Sequence, residues 1–137
     1  MEYRFKVSCS KNKLGDIRTF LKGVLNDHHV SEMEQNTIIL AVDEVCANLI
    51  IHTHNCNPKE QLELKVFFIN RRFTFEIIDH GIGFNIEKYK EPSLVDIVQQ
   101  KKKGGIGLML VKRIMDDVEF IKEDRKNVYR LHKTIIH

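Results

Sequence analysis

The sequence predicts an α+β fold, a two-layer sandwich in which three helices cover one face of a mixed, mostly antiparallel sheet. Three observations predict it. Segments with a two-residue apolar period occur at the start, in the middle and at the end of the chain, which marks strands. Longer segments with helical spacing separate them. Short turn signals join the later strand segments in pairs, and hairpins of that kind make antiparallel neighbours. The resulting order, β-α-α-β-β-loop-α-β-β, is most simply satisfied by helices packed on one face of the sheet.

Each element has a local reason. EYRFKVS, residues 2–8, alternates apolar with charged residues as a half-buried strand does. Leu14, Ile17, Phe20, Leu21, Val24 and Leu25 recur at helical spacing and predict a first helix over residues 14–25. Ser31 stands three residues before Glu34, a capping-box pattern that starts a second helix, expected to reach residue 52 or 53. NCNP, residues 55–58, is turn chemistry. Residues 62–69 and 73–78 are β-rich and joined by Asn70-Arg71-Arg72, which predicts a hairpin. DHGIGF, residues 79–84, ends the second of these strands in a glycine turn. Residues 85–103 are polar and lack a strong period, and within them residues 94–98 could form a short helix. A third helix is expected over residues 106–115, and a closing hairpin over residues 118–122 and 128–133.

Composition narrows the function classes. The chain has 137 residues, 42% hydrophobic and 30% charged, which fits one domain spanning 1–137 around one core. A net charge of +3, spread along the chain except at residues 101–103, gives no reason to expect direct nucleic-acid binding. No secretory leader pattern opens the chain, and no apolar run approaches the ~20 residues of a membrane span. The three cysteines, Cys9, Cys46 and Cys56, are irregularly spaced and suggest reduced thiols. A cytoplasmic protein without membrane attachment is the expectation.

The second helix carries an unusual row. On a wheel of about 100° per residue, Ile38, Ile39, Val42, Val45, Cys46, Leu49 and Ile50 form a wide apolar arc, extended by Leu40, Ala47 and Ile51. Glu44, Asn48 and His52 share a sector of roughly 80°, and Asp43 lies apart from it. Such a row reads either as a solvent-facing edge or as a site. A carboxylate and an amide oxygen are hard donors suited to Mg²⁺, and a carboxylate near a hydroxyl or water can act as a general base. His52 alone reads as a hydrogen-bonded structural histidine.

Two glycine segments add to this. Asp79 follows a strand that should be buried, and a buried carboxylate needs a partner, which a ligand's exocyclic amine could provide. Gly81 and Gly83 permit close backbone approach; the alternative is a plain turn with a solvated acid. KKKGGIGLMLVK, residues 101–112, is neither a P-loop nor a dinucleotide fingerprint, because the third glycine position is Leu110. Glycines ahead of a helix whose free N–H groups can hold an anion, with lysines beside them, suit a phosphate; the alternative is a hinge with a solvated basic run.

Taken together and in order, Glu44-x-x-x-Asn48, Asp79-x-Gly81-x-Gly83 and Gly105-x-Gly107 resemble the N, G1 and G2 boxes of the GHKL ATPase superfamily. Within it the chain most resembles the anti-sigma factor serine/threonine kinases of bacterial partner-switching systems. DEVCANLIIHTH and GGIGLMLVKRIMDDVEF carry that likeness, over about residues 5–133. The resemblance implies a histidine-kinase-like ATPase fold and the use of ATP and Mg²⁺. It implies that Asn48 coordinates Mg²⁺, that Glu44 is the general base, and that Asp79 bonds the adenine amine. Gly81 and Gly83 would pack under the nucleotide, Gly105 and Gly107 would cradle phosphate, and Lys103 would lie near the γ-phosphate. The loop between the boxes would be an ATP lid. The implied partners are a STAS-type anti-anti-sigma protein, which would be phosphorylated on serine, and a sigma factor. A homodimer is also implied.

The sequence departs from the family pattern in places. His80 stands where many relatives have asparagine, and the last hairpin reads Lys126-Asn127-Val128-Tyr129 where a Gly-Thr pair often lines the adenine site. Two other readings remain beside the kinase: a non-catalytic nucleotide-binding switch or ATPase module serving a separate regulator, and a basic interaction module without nucleotide.

Overall fold

The computed structural model describes residues 1–80, 103–123 and 125–135; for residues 52, 53 and 103–108 the description is confined to the backbone. Five strands, β1 (Glu2–Ser8), β2 (Gln61–Ile69), β3 (Arg72–Asp79), β4 (Asp117–Glu123) and β5 (Lys126–Thr134), form one sheet in the order β1-β2-β3-β5-β4. Each pairing among the described residues is antiparallel. Helices α1 (Leu14–Asp27), α2 (Glu32–Ala47) and α3 (Lys103–Ile114) supply the second layer, with α2 packed against both α1 and α3.

Strand alternation decides which side of the sheet is covered. Leu62, Leu64 and Val66 on β2, Phe73, Phe75 and Ile77 on β3, and Tyr129 and Leu131 on β5 are all buried. They meet Ile17, Leu21 and Leu25 of α1 and Ile38, Val42 and Val45 of α2 in one apolar cluster. Each such side chain contributes about 1.5–3 kcal/mol by leaving water. Many side chains of opposite parity are polar, and there Arg130 pairs with Glu76 at 2.5 Å and His132 bridges Thr74 (2.9 Å) and Glu119 (2.6 Å).

Local chemistry sets the ends. The Ser31 hydroxyl accepts from the Glu34 amide at 3.2 Å and caps α2, as its capping-box spacing requires. After α1, His29 adopts φ 58° without being glycine. Its amide donates to the Asn26 carbonyl at 3.0 Å and the Val30 amide to the Leu25 carbonyl at 3.2 Å, which closes a Schellman motif. The β2–β3 hairpin turns on Asn70 and Arg71, both with positive φ (52° and 67°), matching the twist of the flanking strands.

Two expectations need revision. The second helix does reach Thr53, but from Asn48 onward it is a π-helical turn (Asn48–Thr53). The wheel that aligns His52 with Asn48 assumes uninterrupted α geometry, and the wider turn ends that phase at Asn48. Leu40, placed in the apolar arc by the same wheel, is 49% exposed. The last helix begins at Lys103 rather than Ile106, so Gly104, Gly105 and Gly107 belong to its first turns. Glycine's low helix propensity predicts a later start, and propensity is a weak local term that packing of the whole helix overrides. The expected short helix over residues 94–98 and the bulk of the expected lid lie outside the described residues.

Candidate nucleotide site

Glu44 and Asn48 occupy the last turn and the end of α2, each half-buried. The Asn48 side-chain nitrogen donates to the Glu44 backbone carbonyl at 2.8 Å and to Glu44 Oε1 at 3.1 Å. Both partners are acceptors, so the amide orientation is fixed, and its carbonyl oxygen is turned away from Glu44. One turn of helix therefore carries a carboxylate and an amide oxygen, each a hard donor of the kind suited to a cation that keeps several waters. Asp43 is separate from this pair, as the wheel requires. It accepts from Arg18 Nε and an Arg18 terminal nitrogen at 3.0 and 3.3 Å and ties α2 to α1.

Asp79 ends β3. It shares strand parity with Phe73, Phe75 and Ile77, so its carboxylate enters the layer between sheet and helices. Its relative exposure is 0%. Oδ2 lies 3.0 Å from His54 Nε2, while Oδ1 is buried with no hydrogen-bond partner among the described residues. Leaving a buried acceptor unsatisfied costs about 1–3 kcal/mol. An incoming N–H donor would recover that energy.

The His54–Asp79 bond joins two elements that the sequence keeps 25 residues apart. The π turn delivers His54: its amide donates to the Leu49 carbonyl at 2.9 Å, and the left-handed pair Asn55 (φ 53°) and Cys56 (φ 56°) then turns the chain away. The end of α2, which carries Asn48, is thereby fastened to the end of β3, which carries Asp79. Cys9 lies near the same end; burial first, and then Glu60 and Asp79, push its thiol up to about 11. His80 donates a ring N–H to the Arg125 carbonyl at 2.8 Å and holds the start of the 79–84 segment to the β4–β5 turn.

Of the residues expected in the site, Glu44, Asn48 and Asp79 are therefore placed with side chains, the first two together. Lys103, Gly105 and Gly107 lie in the first described turns of α3, and helix N-terminal N–H groups are suited to anions. Gly81 and Gly83 lie outside the described residues. One residue escaped the sequence reading: His54 could not be placed by a wheel that runs through α geometry. Asn127, which the sequence marks only as a departure from the family pattern, is 3% exposed and paired in register with Asp79. Parity places it on the covered face, two residues before Tyr129 and four before Leu131.

Residues 7–133 match the profile of the histidine kinase-like ATPase domain. The chain belongs to this family. The serine-protein kinase RsbW of Oceanobacillus iheyensis is 28% identical over 118 residues, covering 83% of this chain and 75% of the relative. The serine-protein kinase RsbW of Bacillus pumilus is 30% identical over 120 residues, covering 83% and 74%. Among solved structures, the RsbU and RsbW domains of Rv1364c from Mycobacterium tuberculosis superpose with a TM-score of 0.69 at 12% identity. That match covers 98% of this chain and 32% of the other. A chain of the SiaB–SiaC complex from Pseudomonas aeruginosa superposes with a TM-score of 0.65 at 13% identity, covering 97% and 89%. At those identities the structures speak to the fold, which is that of a histidine kinase-like ATPase domain. ATP is the nucleotide such a domain uses, and the open acceptor on Asp79 is chemically suited to an adenine amine. No helix among the described residues is long and apolar enough to cross a membrane.

Proposed function

We propose that this histidine kinase-like ATPase domain is a Mg-ATP-dependent protein serine/threonine kinase of a partner switch. In this reading residues 1–137 form one kinase domain that phosphorylates a serine on a small STAS-type antagonist and also binds a sigma factor. The carrying observation is the buried Asp79 with one oxygen left open, joined through His54 to the helix that presents Glu44 and Asn48. The kinase names of the sequence relatives give the reaction class.

The roles follow from chemistry. Asp79 accepts from the adenine amine through Oδ1. Asn48, with its nitrogen committed to Glu44, offers its oxygen to Mg²⁺, which when bound neutralises charge on the phosphates. The N–H groups in the first turns of α3, with Gly105, Gly107 and Lys103, hold phosphate oxygens. Glu44 takes the proton of the attacking serine hydroxyl as the serine oxygen bonds to the γ-phosphorus and the bond to the ADP oxygen breaks. Positioning and charge stabilisation supply most of the acceleration.

Glu44→Ala tests the kinase reading. Phosphotransfer to a STAS-type protein should fall by about 10²- to 10⁴-fold, while ATP affinity in isothermal titration stays within about threefold. Full regulation of the partner by the variant, with no phosphotransfer, would replace the kinase with a non-catalytic nucleotide switch.

A further inference from the structure

We propose that His54 is the positioning residue that makes the site selective for a 6-amino purine over a 6-oxo purine, by holding Asp79 as an acceptor with a single open oxygen. This rests on the reading of Asp79 as the purine contact and assigns what that reading leaves open, namely what fixes the hydrogen-bonding state of Asp79.

A carboxyl group can present two faces to a ligand. As a carboxylate it only accepts; with a proton it also donates. A 6-amino purine needs the first and a 6-oxo purine the second. Asp79 is fully buried, so its hydrogen-bonding state is set largely by its protein neighbours. Its Oδ2 lies 3.0 Å from His54 Nε2, and that side chain is itself 4% exposed. With Asp79 as carboxylate, Nε2–H is the donor and Oδ2 is occupied. Oδ1 is then the acceptor left for the ligand. A 6-oxo purine would set oxygen against oxygen there.

The backbone supports the role. His54 follows the π turn, whose own hydrogen bond runs from its amide to Leu49 at 2.9 Å. The left-handed residues Asn55 and Cys56 follow immediately. This irregular exit from α2 brings the imidazole against the end of β3, where a regular α continuation would have kept the helical phase. π turns recur at functional sites for this kind of re-aiming.

The test compares ATP with inosine triphosphate, which carries oxygen in place of the amine, on the full chain with Mg²⁺. Wild type should prefer ATP by about 10- to 100-fold. His54→Leu should shrink that ratio to within about threefold, chiefly by weakening ATP, and His54→Gln, which keeps an N–H donor, should retain most of it. Equal weakening of both nucleotides, or an unchanged ratio in His54→Leu, would overturn the assignment and leave the purine site standing. Failure of the wild type to bind ATP would instead remove the purine site, and the assignment with it. Should His54→Leu not fold, the wild-type ring ¹⁵N spectrum decides: a proton on Nε2 whose resonance moves with ATP supports the role, and an Nε2 without a proton contradicts it.

Discussion

The two ends of the candidate site are built on different principles. The proposed purine end is Asp79 with His54, both buried, one on a strand and one on an irregular turn, each fixed by the other. The phosphate end is Glu44 with Asn48, half-buried on a single helical turn, beside a helix whose first residues are glycine-rich. In the proposed reading a ligand group at the purine end meets a preset acceptor, which would give selectivity. At the phosphate end the protein offers oxygens and amide dipoles to charges that solvent and metal can also reach, which suits a reaction whose charges move. A site that must recognise one base firmly and release a changed phosphate chain benefits from this division.

Breaking the phosphate end should have the larger effect of the two substitutions that sharpen this contrast. Asn48→Ala removes the amide oxygen and frees Glu44 Oε1 from its 3.1 Å partner. Affinity for Mg-ATP should fall by about 10- to 100-fold, from loss of a charge-assisted contact of about 1.5–3 kcal/mol. The preference for ATP over inosine triphosphate should persist, because the purine end is untouched. Titration with both nucleotides checks this, and a lost preference would show that the ends are not separable.

The smallest effect belongs to the uncovered face of the sheet. The His132 ring beside Glu119 holds that carboxyl below its ordinary value of 4.5, with Arg130 and Arg72 adding to the shift. A depressed carboxyl contributes stability above its unfolded value and loses it as pH falls through the folded one. Glu119→Gln should therefore lower the melting temperature slightly at neutral pH and not at all well below pH 4.5. Because the Glu119 side chain is 41% exposed, the loss at neutral pH should stay under about 1 kcal/mol. Nucleotide binding should be unchanged.

Most of the fold was legible because two periods dominate it. Strands β1 to β5 follow from alternation, the β2–β3 turn from Asn70, and the start of α2 from Ser31 and Glu34. Glu44 and Asn48 follow from i, i+4 spacing, and Asp79 from its place at the end of a buried strand. What escaped is where the chain leaves its period. Leu49 to Thr53 spell an ordinary helix, and nothing in their local pattern marks the π-helical turn found there. His54 closes the DEVCANLIIHTH stretch that carries the family likeness but stands outside Glu44-x-x-x-Asn48, so the resemblance gave it no role. The helical start at Lys103 escaped because glycines argue locally for a later beginning.

The most direct test of the account is isothermal titration of ATP into the purified protein with and without Mg²⁺, beside Asp79→Asn. The account predicts Mg²⁺-dependent binding in the wild type and a loss of about 10-fold or more in the variant, whose amide sets a donor where Oδ1 accepted or leaves His54 facing one. Unchanged affinity in a folded Asp79→Asn protein, or no binding by the wild type at millimolar ATP, would contradict it.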